Sequence, residues 1–332
     1  FPANSVTDIR SMAMGGAHLA DYTDYFTLYR NPSLLQKSGK HWYWDTLTLN
    51  VGGPFDKLED ITTAASALTG GSGEITDLIG PLGNLVADGI NFNAMLNIPM
   101  LSFGATGKHM GWGLYDRLVI DANIPNTSMA QVLAQLEAGF IMGYGDTIQL
   151  TDAHALSWGV SGRTYVQVPQ IALKSSLLEL LSNVSNITGS LKLGSTLGFA
   201  VDPAVTYSFA NFVDVSAVLH NDISAKSIGT MNDVLGGNMN ALYTWKDWAW
   251  TPKLGMGAGV TVPTWWSLGL INHCNVYLDQ YDVLNMLSSS AKRNPWLDLG
   301  IGAEISLLRI LDFRAGISDS YLNAGIGMNL GA

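Results

Sequence analysis

Residues Trp296 to Leu330 read WLDLGIGAEISLLRILDFRAGISDSYLNAGIGMNL, and the alternation in this stretch decides the fold class. Side chains of an extended strand point to opposite faces in turn. Leu297, Leu299, Ile301, Ala303, Ile305 and Leu307 therefore share one face, and Asp298, Gly300, Gly302, Glu304 and Ser306 the other. The pattern restarts twice. Phe313, Ala315 and Ile317 oppose Arg314, Gly316 and Ser318; Leu322, Ala324, Ile326, Met328 and Leu330 oppose Asn323, Gly325, Gly327 and Asn329. Three successive strands each offer one face to hydrocarbon and one to water.

Composition points the same way. The 332 residues are 13% charged and 47% hydrophobic, with 36 glycines, whereas a soluble domain usually carries about 25% charged residues. No run of about 20 apolar residues free of charge and glycine is present, which argues against a helical membrane protein. A membrane β-barrel reconciles the two facts, because only every second residue of a strand has to face lipid. Trp42, Trp44, Trp112, Tyr144, Trp158, Tyr207, Trp248, Trp250, Trp265, Trp266 and Trp296 lie near the ends of candidate strands, as interfacial girdles would. The competing assignment is the core of a soluble β-sandwich.

Period-two segments fall at about 41–51, 91–105, 110–122, 138–149, 154–168, 196–208, 212–221, 252–262, 266–279, 296–307, 312–318 and 321–330, roughly a dozen strands of bilayer-crossing length. The connections alternate in length. Long ones run about 52–90, 123–137, 169–195, 222–251 and 280–295; short ones sit at Thr106–His109, Thr151–Asp152, Ala210–Asn211, Pro263–Trp265 and Leu308–Leu311. Outer-membrane barrels pair short periplasmic turns with longer external loops in this way. The short link at Asp319–Ser320 departs from the rule.

Several long loops carry helical spacing. Residues 56–68 and 75–86 predict a helical hairpin whose second stripe includes Leu78, Leu82 and Leu85; Ser128–Leu136 and Leu173–Val184, the latter with Leu177 and Leu181, predict two more short helices. Such stripes either pack on the barrel rim or form a greasy surface that captures an apolar ligand or a partner protein.

Chemistry-bearing motifs are few. Net charge is −10 and no basic cluster is visible, which argues against nucleic acid. Cys274 is alone, so there is no disulfide framework, and the six histidines show no metal-binding spacing. Gly-x-Ser-x-Gly and phosphate-loop motifs are absent too, so neither an enzyme nor a cofactor is expected. Three Asn-x-Ser/Thr matches, at Asn126, Asn183 and Asn186, are read as chance. Arg163, Lys253, Asp298, Glu304 and Arg314, together with Asp116, Arg117 and Asp214, are assigned to lumen-facing positions, where charges pair across a narrow interior. Asp298 and Glu304 are six residues apart on one strand, about 20 Å, too far for a catalytic pair. The glycines on the polar side, such as Gly255, Gly257 and Gly259, leave room in the lumen or let another segment approach the wall.

About 40 residues precede the first strand. Gly15–Gly16 permits a tight backbone and Asn31-Pro32-Ser33 a fixed turn, as a compact plug would need. The segment MGGAHLADYTDYFTLYRNPSLL, residues 14–35, resembles the start of the long-chain fatty-acid transporter (FadL) superfamily of outer-membrane barrels, which includes PorV-like secretion barrels and related spirochaete and conjugation-associated barrels. Asn31-Pro32-Ser33 stands where that family has Asn-Pro-Ala, and DFRAGISDSYLNAGIGMNLG, residues 312–331, is similar to its closing hairpin.

The resemblance implies a fourteen-stranded barrel, an N-terminal hatch over residues 1–40, and passage of hydrophobic molecules such as long-chain fatty acids. The hatch residues would be Gly15, Gly16, Asn31, Pro32 and Ser33. The alternative is a PorV-like assembly barrel that anchors periplasmic or surface proteins. The barrel proper is assigned to 41–332, in a bacterial outer membrane after signal-peptide removal. Expected partners are membrane lipids and either an apolar ligand or a protein. The strand count of about a dozen and the end at Ala332, without a terminal aromatic residue, depart from the family pattern.

Overall fold

The computed structural model describes residues 9–44, 48–52, 90–97, 102–126, 129–175, 192–210, 212–230, 240, 243–264, 267, 269–288, 294–318 and 321–328. Fourteen β-segments form one antiparallel sheet: β1 His41–Trp44, β2 Thr48–Gly52, β3 Ile90–Asn97, β4 Phe103–Thr106, β5 Met110–Asn126, β6 Met129–Thr151, β7 His154–Ser175, β8 Lys192–Phe209, β9 Val213–Thr230, β10 Lys246–Thr261, β11 Ile271–Gln280, β12 Leu299–Leu307, β13 Leu311–Ser318 and β14 Tyr321–Met328.

These fourteen segments make twelve staves. β1 pairs with β4 and β2 with β3, while β3 and β4 both pair with β5, from Ile90↔Ile124 to Leu96↔Leu118 and from Phe103↔Leu114 to Thr106↔Gly111. Thus β1 with β2, and β3 with β4, are each one interrupted stave. Every other stave pairs with its sequence neighbours, as in an up-and-down barrel. Among the described residues the count is twelve, as the alternation predicts, and differs from the fourteen implied by the family resemblance.

The sheet is dressed inside out relative to a soluble protein. On β8, Phe199, Val201, Val205, Tyr207 and Phe209 are exposed, while Asp202, Thr206 and Ser208 between them are buried. On β12 and β13, Ile301, Ile305, Phe313 and Ile317 are exposed and Glu304 and Ser306 buried. A surface band of large apolar side chains around a polar interior is stable only against lipid. The protein is an all-β transmembrane barrel.

Its interior is filled by the N-terminal hatch. α1 Ile9–Ala13, α2 Thr27–Arg30, a 3-10 turn at Pro32–Leu34 and α3 Leu35–Ser38 follow one another there, and Met14, Ala17, Leu19, Leu28, Leu34 and Leu35 are all buried. Short helices suit the space. Each is stopped within a turn or two, and Gly39 at φ 85° releases the chain into β1.

Two loop readings are corrected. Ser128–Leu136 does not form a helix: from Met129 it is strand, paired with β5 and β7 from Asn126↔Met129 and Ala130↔Ser175 downward. Its apolar spacing fits a helix locally, but two flanking strands supply ladder hydrogen bonds that the spacing cannot reveal. Similarly, β7, β8, β9 and β10 extend into the spans read as loops 169–195 and 222–251, where residues 169–175, 192–195, 222–230 and 246–251 are strand. Loop 280–295 holds α4, Val283–Leu287, capped by Asp282, whose side chain accepts from the Asn285 N–H at 3.1 Å. The predicted helical hairpin with Leu78, Leu82 and Leu85, and the stretch with Leu177 and Leu181, lie outside the described residues.

Candidate functional site: the hatch and its joints with the wall

The hatch turn is built as the local sequence dictates. Asn31 caps the Pro32–Leu34 turn, its Oδ1 accepting from the Ser33 N–H at 3.1 Å and the Ser33 hydroxyl at 2.6 Å. Its amide donates outward, to the Leu19 carbonyl at 2.7 Å and the Thr206 hydroxyl of β8 at 3.0 Å. The Ser33 and Thr206 hydroxyls lie 2.7 Å apart. One asparagine thus closes its own turn, ties two hatch strands of chain together and fastens both to the wall. All three residues are buried, so every lone pair spent here replaces one lost to water.

Gly15 and Gly16 sit at φ 65° and 76°, a left-handed backbone costly for other residues. The turn they make presents the Gly15 carbonyl to the Tyr281 hydroxyl, which donates at 2.9 Å. Next along the chain, the N–H groups of His18 and Leu19 both donate to one Asp279 carboxylate oxygen of β11, at 2.5 and 2.8 Å.

Toward β11–β13 the joint is ionic. Arg10 bonds to both Asp21 and Glu304, and Arg30 donates to Asp21 at 2.9 Å and to Asp24 at 3.2 Å. Glu304 also receives Arg314 at 3.3 Å and lies 3.3 Å from His273 Nε2; Arg314 turns on to Asp312 at 2.9 Å. Buried charges persist only when paired this closely. His273, Glu304 and Asp312 have ligand atoms close enough to one another for a metal, but Arg314 stands on both carboxylates and supplies the positive charge. Further along, Lys37 donates to Asp214 and Ser208 at 2.6 Å each.

Toward β4–β7 the joint is aromatic. Tyr25 stacks on Tyr43 with ring centres 4.9 Å apart, contacts Phe26 and Tyr29 edge-on, and Tyr29 meets Tyr115 at 5.7 Å. Leu28, Leu35, Ile141 and Tyr165 complete this cluster. Burial pushes the Tyr25 hydroxyl up to about 12 and that of Tyr29 well above its ordinary value, so both stay neutral.

Beyond the aromatic layer the lumen is lined with charge. Arg117 and Gln167 donate to Glu137 at 3.0 and 2.7 Å; Arg163 lies 3.8 Å from Asp222, which also accepts from Tyr165 at 2.8 Å; His220 lies 3.3 Å from Asp202. Lys253 stands opposite His220 on the neighbouring strand. The other positions from the sequence scatter. Asp298 lies in the Pro295–Asp298 turn and accepts from Asn285 at 3.3 Å. Asp116 falls on the opposite face from Arg117, where the Ser102 hydroxyl covers it at 2.8 Å. Sequence reading missed Arg10, Asp21, Arg30 and Asp279. The only local signal was a pair of arginines and acids spread along an otherwise apolar hatch.

Within the hatch, burial holds His18 down at about 4 and pushes the Asp24 carboxyl upward, the neighbouring Asp21 adding to that rise. His18 is therefore neutral at neutral pH.

No protein-family model and no curated protein matches this chain. A solved structure described as "Structure of the RagAB peptide transporter" is similar over 69% of this chain at 12% identity, with a TM-score of 0.27. This chain spans 29% of that one.

Proposed function

We propose that this protein is an outer-membrane barrel of FadL type that binds hydrophobic small molecules, such as long-chain fatty acids, and passes them across the membrane. The observation that carries the proposal is the unequal seating of the hatch. One side is bound to the wall by the buried ion pairs Arg10–Glu304 and Lys37–Asp214, the other chiefly by a cluster of aromatic and aliphatic side chains. Ion pairs resist an apolar molecule, because separating them in a low dielectric leaves each charge without compensation. Ring-to-ring contacts part and reform with little penalty when an acyl chain takes the place of a ring. The route runs along Tyr43, Phe26, Tyr25, Tyr29 and Tyr115.

Uptake of a radiolabelled long-chain fatty acid by cells or proteoliposomes carrying the barrel tests this. Tyr29→Asp, which places a charge in the aromatic joint, should lower uptake at least tenfold while the protein still inserts. Wild-type uptake no faster than that of empty membranes would overturn the proposal.

A further inference from the structure

We infer that the hatch is a fixed part of the wall and not a door: residues 13–37 stay seated while solute passes, and the sheet closes around them. The inference deepens the transport reading above and rests on it only where passage itself is measured.

The wall is cut to the shape of the hatch backbone. A Cβ added at Gly159 of β7 would stand 2.5 Å from the Pro32 carbonyl carbon; one at Gly302 of β12, 2.7 Å from the Met14 Cβ; one at Gly257 of β10, 2.7 Å from the Leu19 Cβ; and one at Gly325 of β14, 2.6 Å from the Ala13 Cβ. At Gly113 of β5 and Gly316 of β13 the added atom meets Tyr25 and the Met14–Gly15 backbone. Atoms do not approach that closely, so a side chain at Gly159, Gly302 or Gly316 would have to displace hatch backbone, and one at Gly113 the Tyr25 ring. These sites occur on β5, β7, β10, β12, β13 and β14 and so surround the hatch. Gly162, on the outward face of β7, would meet nothing with its Cβ, so on that strand the crowding is on the lumen side.

A door that swung clear would gain nothing from this rail. Glycine in a strand interior weakens the strand through its backbone entropy and its lack of packing, and here the loss is recovered only while the hatch is seated. Withdrawal would also strip the Asp279 carboxylate of two N–H donors and Glu304 of Arg10, and open the Asn31–Thr206 and Ser33–Thr206 bonds. Those anchors lie on β8, β11 and β12, at different points of the circumference. A hinge could spare one, but no single hinge spares all.

Hydrogen exchange on the detergent-solubilised barrel tests seating directly. The amides of His18, Leu19 and Ser33 should exchange within tenfold of those of β12, with or without added oleate. Hatch amides exchanging a hundredfold faster than β12, or losing protection when oleate is added, would overturn the inference. A second measurement uses Ser33→Cys with Thr206→Cys in a Cys274→Ser background. Oxidised and reduced forms should take up labelled oleate at rates within twofold; uptake abolished by oxidation and restored by dithiothreitol would overturn it. Absence of uptake in both forms would count against the transport reading alone, and exchange would still decide whether the hatch is fixed.

Discussion

Arg10 and Glu304 are 294 residues apart in the chain and meet inside the barrel, where the Arg10 Nε donates to Glu304 Oε2 at 2.7 Å. Glu304 is 2% exposed. The contact joins the first helix of the hatch to β12 and is shared with Asp21, Arg314 and His273.

Removing one partner from this pair should cost more than removing both. Arg10→Met leaves the Glu304 carboxylate with fewer donors in a dry site, and breaking a buried pair in that way costs about 3–5 kcal/mol. Arg10→Met with Glu304→Gln removes the stranded charge and should recover at least about 1 kcal/mol of that loss. The temperature at which the folded band converts to the unfolded band in detergent gels reports both. Additive losses would show that the pair contributes no coupling.

Two glycines of one strand, Gly159 on its lumen face and Gly162 on its outward face, should respond differently to the same change. Gly159→Ala forces a methyl onto the Pro32 backbone and should destabilise by about 2 kcal/mol or more, or prevent folding, because neither backbone can yield cheaply. Gly162→Ala meets nothing and should stay within about 0.5 kcal/mol of the parent. The comparison needs only the folded fraction after refolding into detergent.

The strands were legible in the sequence because a barrel wall imposes period two on every stave, and twelve such segments were read where the described residues form twelve staves. Lengths were not. Met129–Leu136 spaces its apolar residues as a helix does, yet it lies between β5 and β7 and takes their hydrogen bonds. Asn31-Pro32-Ser33 was legible because its turn is local. Parity likewise placed Glu304 in the lumen. That Arg10 is its partner was not legible, since a contact spanning nearly the whole chain produces no local pattern. Nor did the pairing of Asp279 with two hatch N–H groups, in which one partner is backbone.

Acid should loosen the hatch through His18. Burial holds its folded value at about 4, below the ordinary 6.5 of an unfolded chain. A group depressed in this way contributes stability that is present above pH 6.5 and lost as the pH falls toward 4, because the unfolded chain takes up the proton first. Its surroundings are Tyr281, Asp279, Asp21 and, from β9, His220. The Asp24 carboxyl, pushed upward, works in the other sense: its contribution is present at low pH and lost as the pH rises through its folded value. His18→Gln should therefore remove acid sensitivity while leaving that of Asp24. Between pH 7.5 and 5 the parent should lose about 2 kcal/mol more than the variant. Urea midpoints at the two pH values measure it, and equal losses would show that His18 does not titrate in this window.

The last expectation concerns which face of the wall meets lipid. On β8, Val205 is 41% exposed and the adjacent Thr206 is fully buried against Asn31 and Ser33. In a soluble protein an exposed valine would accept arginine at almost no cost. In a bilayer the guanidinium has no water to hold it, at a cost of about 2–4 kcal/mol at the midplane that falls toward the interfaces, and Val205, opposite Trp158, lies toward one of them. Val205→Arg should therefore destabilise the barrel in lipid vesicles. The same substitution at Asp247, at the start of β10 beyond Trp248 and Trp250, should be close to neutral. Refolding into phospholipid vesicles at graded urea distinguishes the two positions. Equal, negligible effects would contradict a lipid-facing exterior, because the outward residues of β8 would then be lying in water.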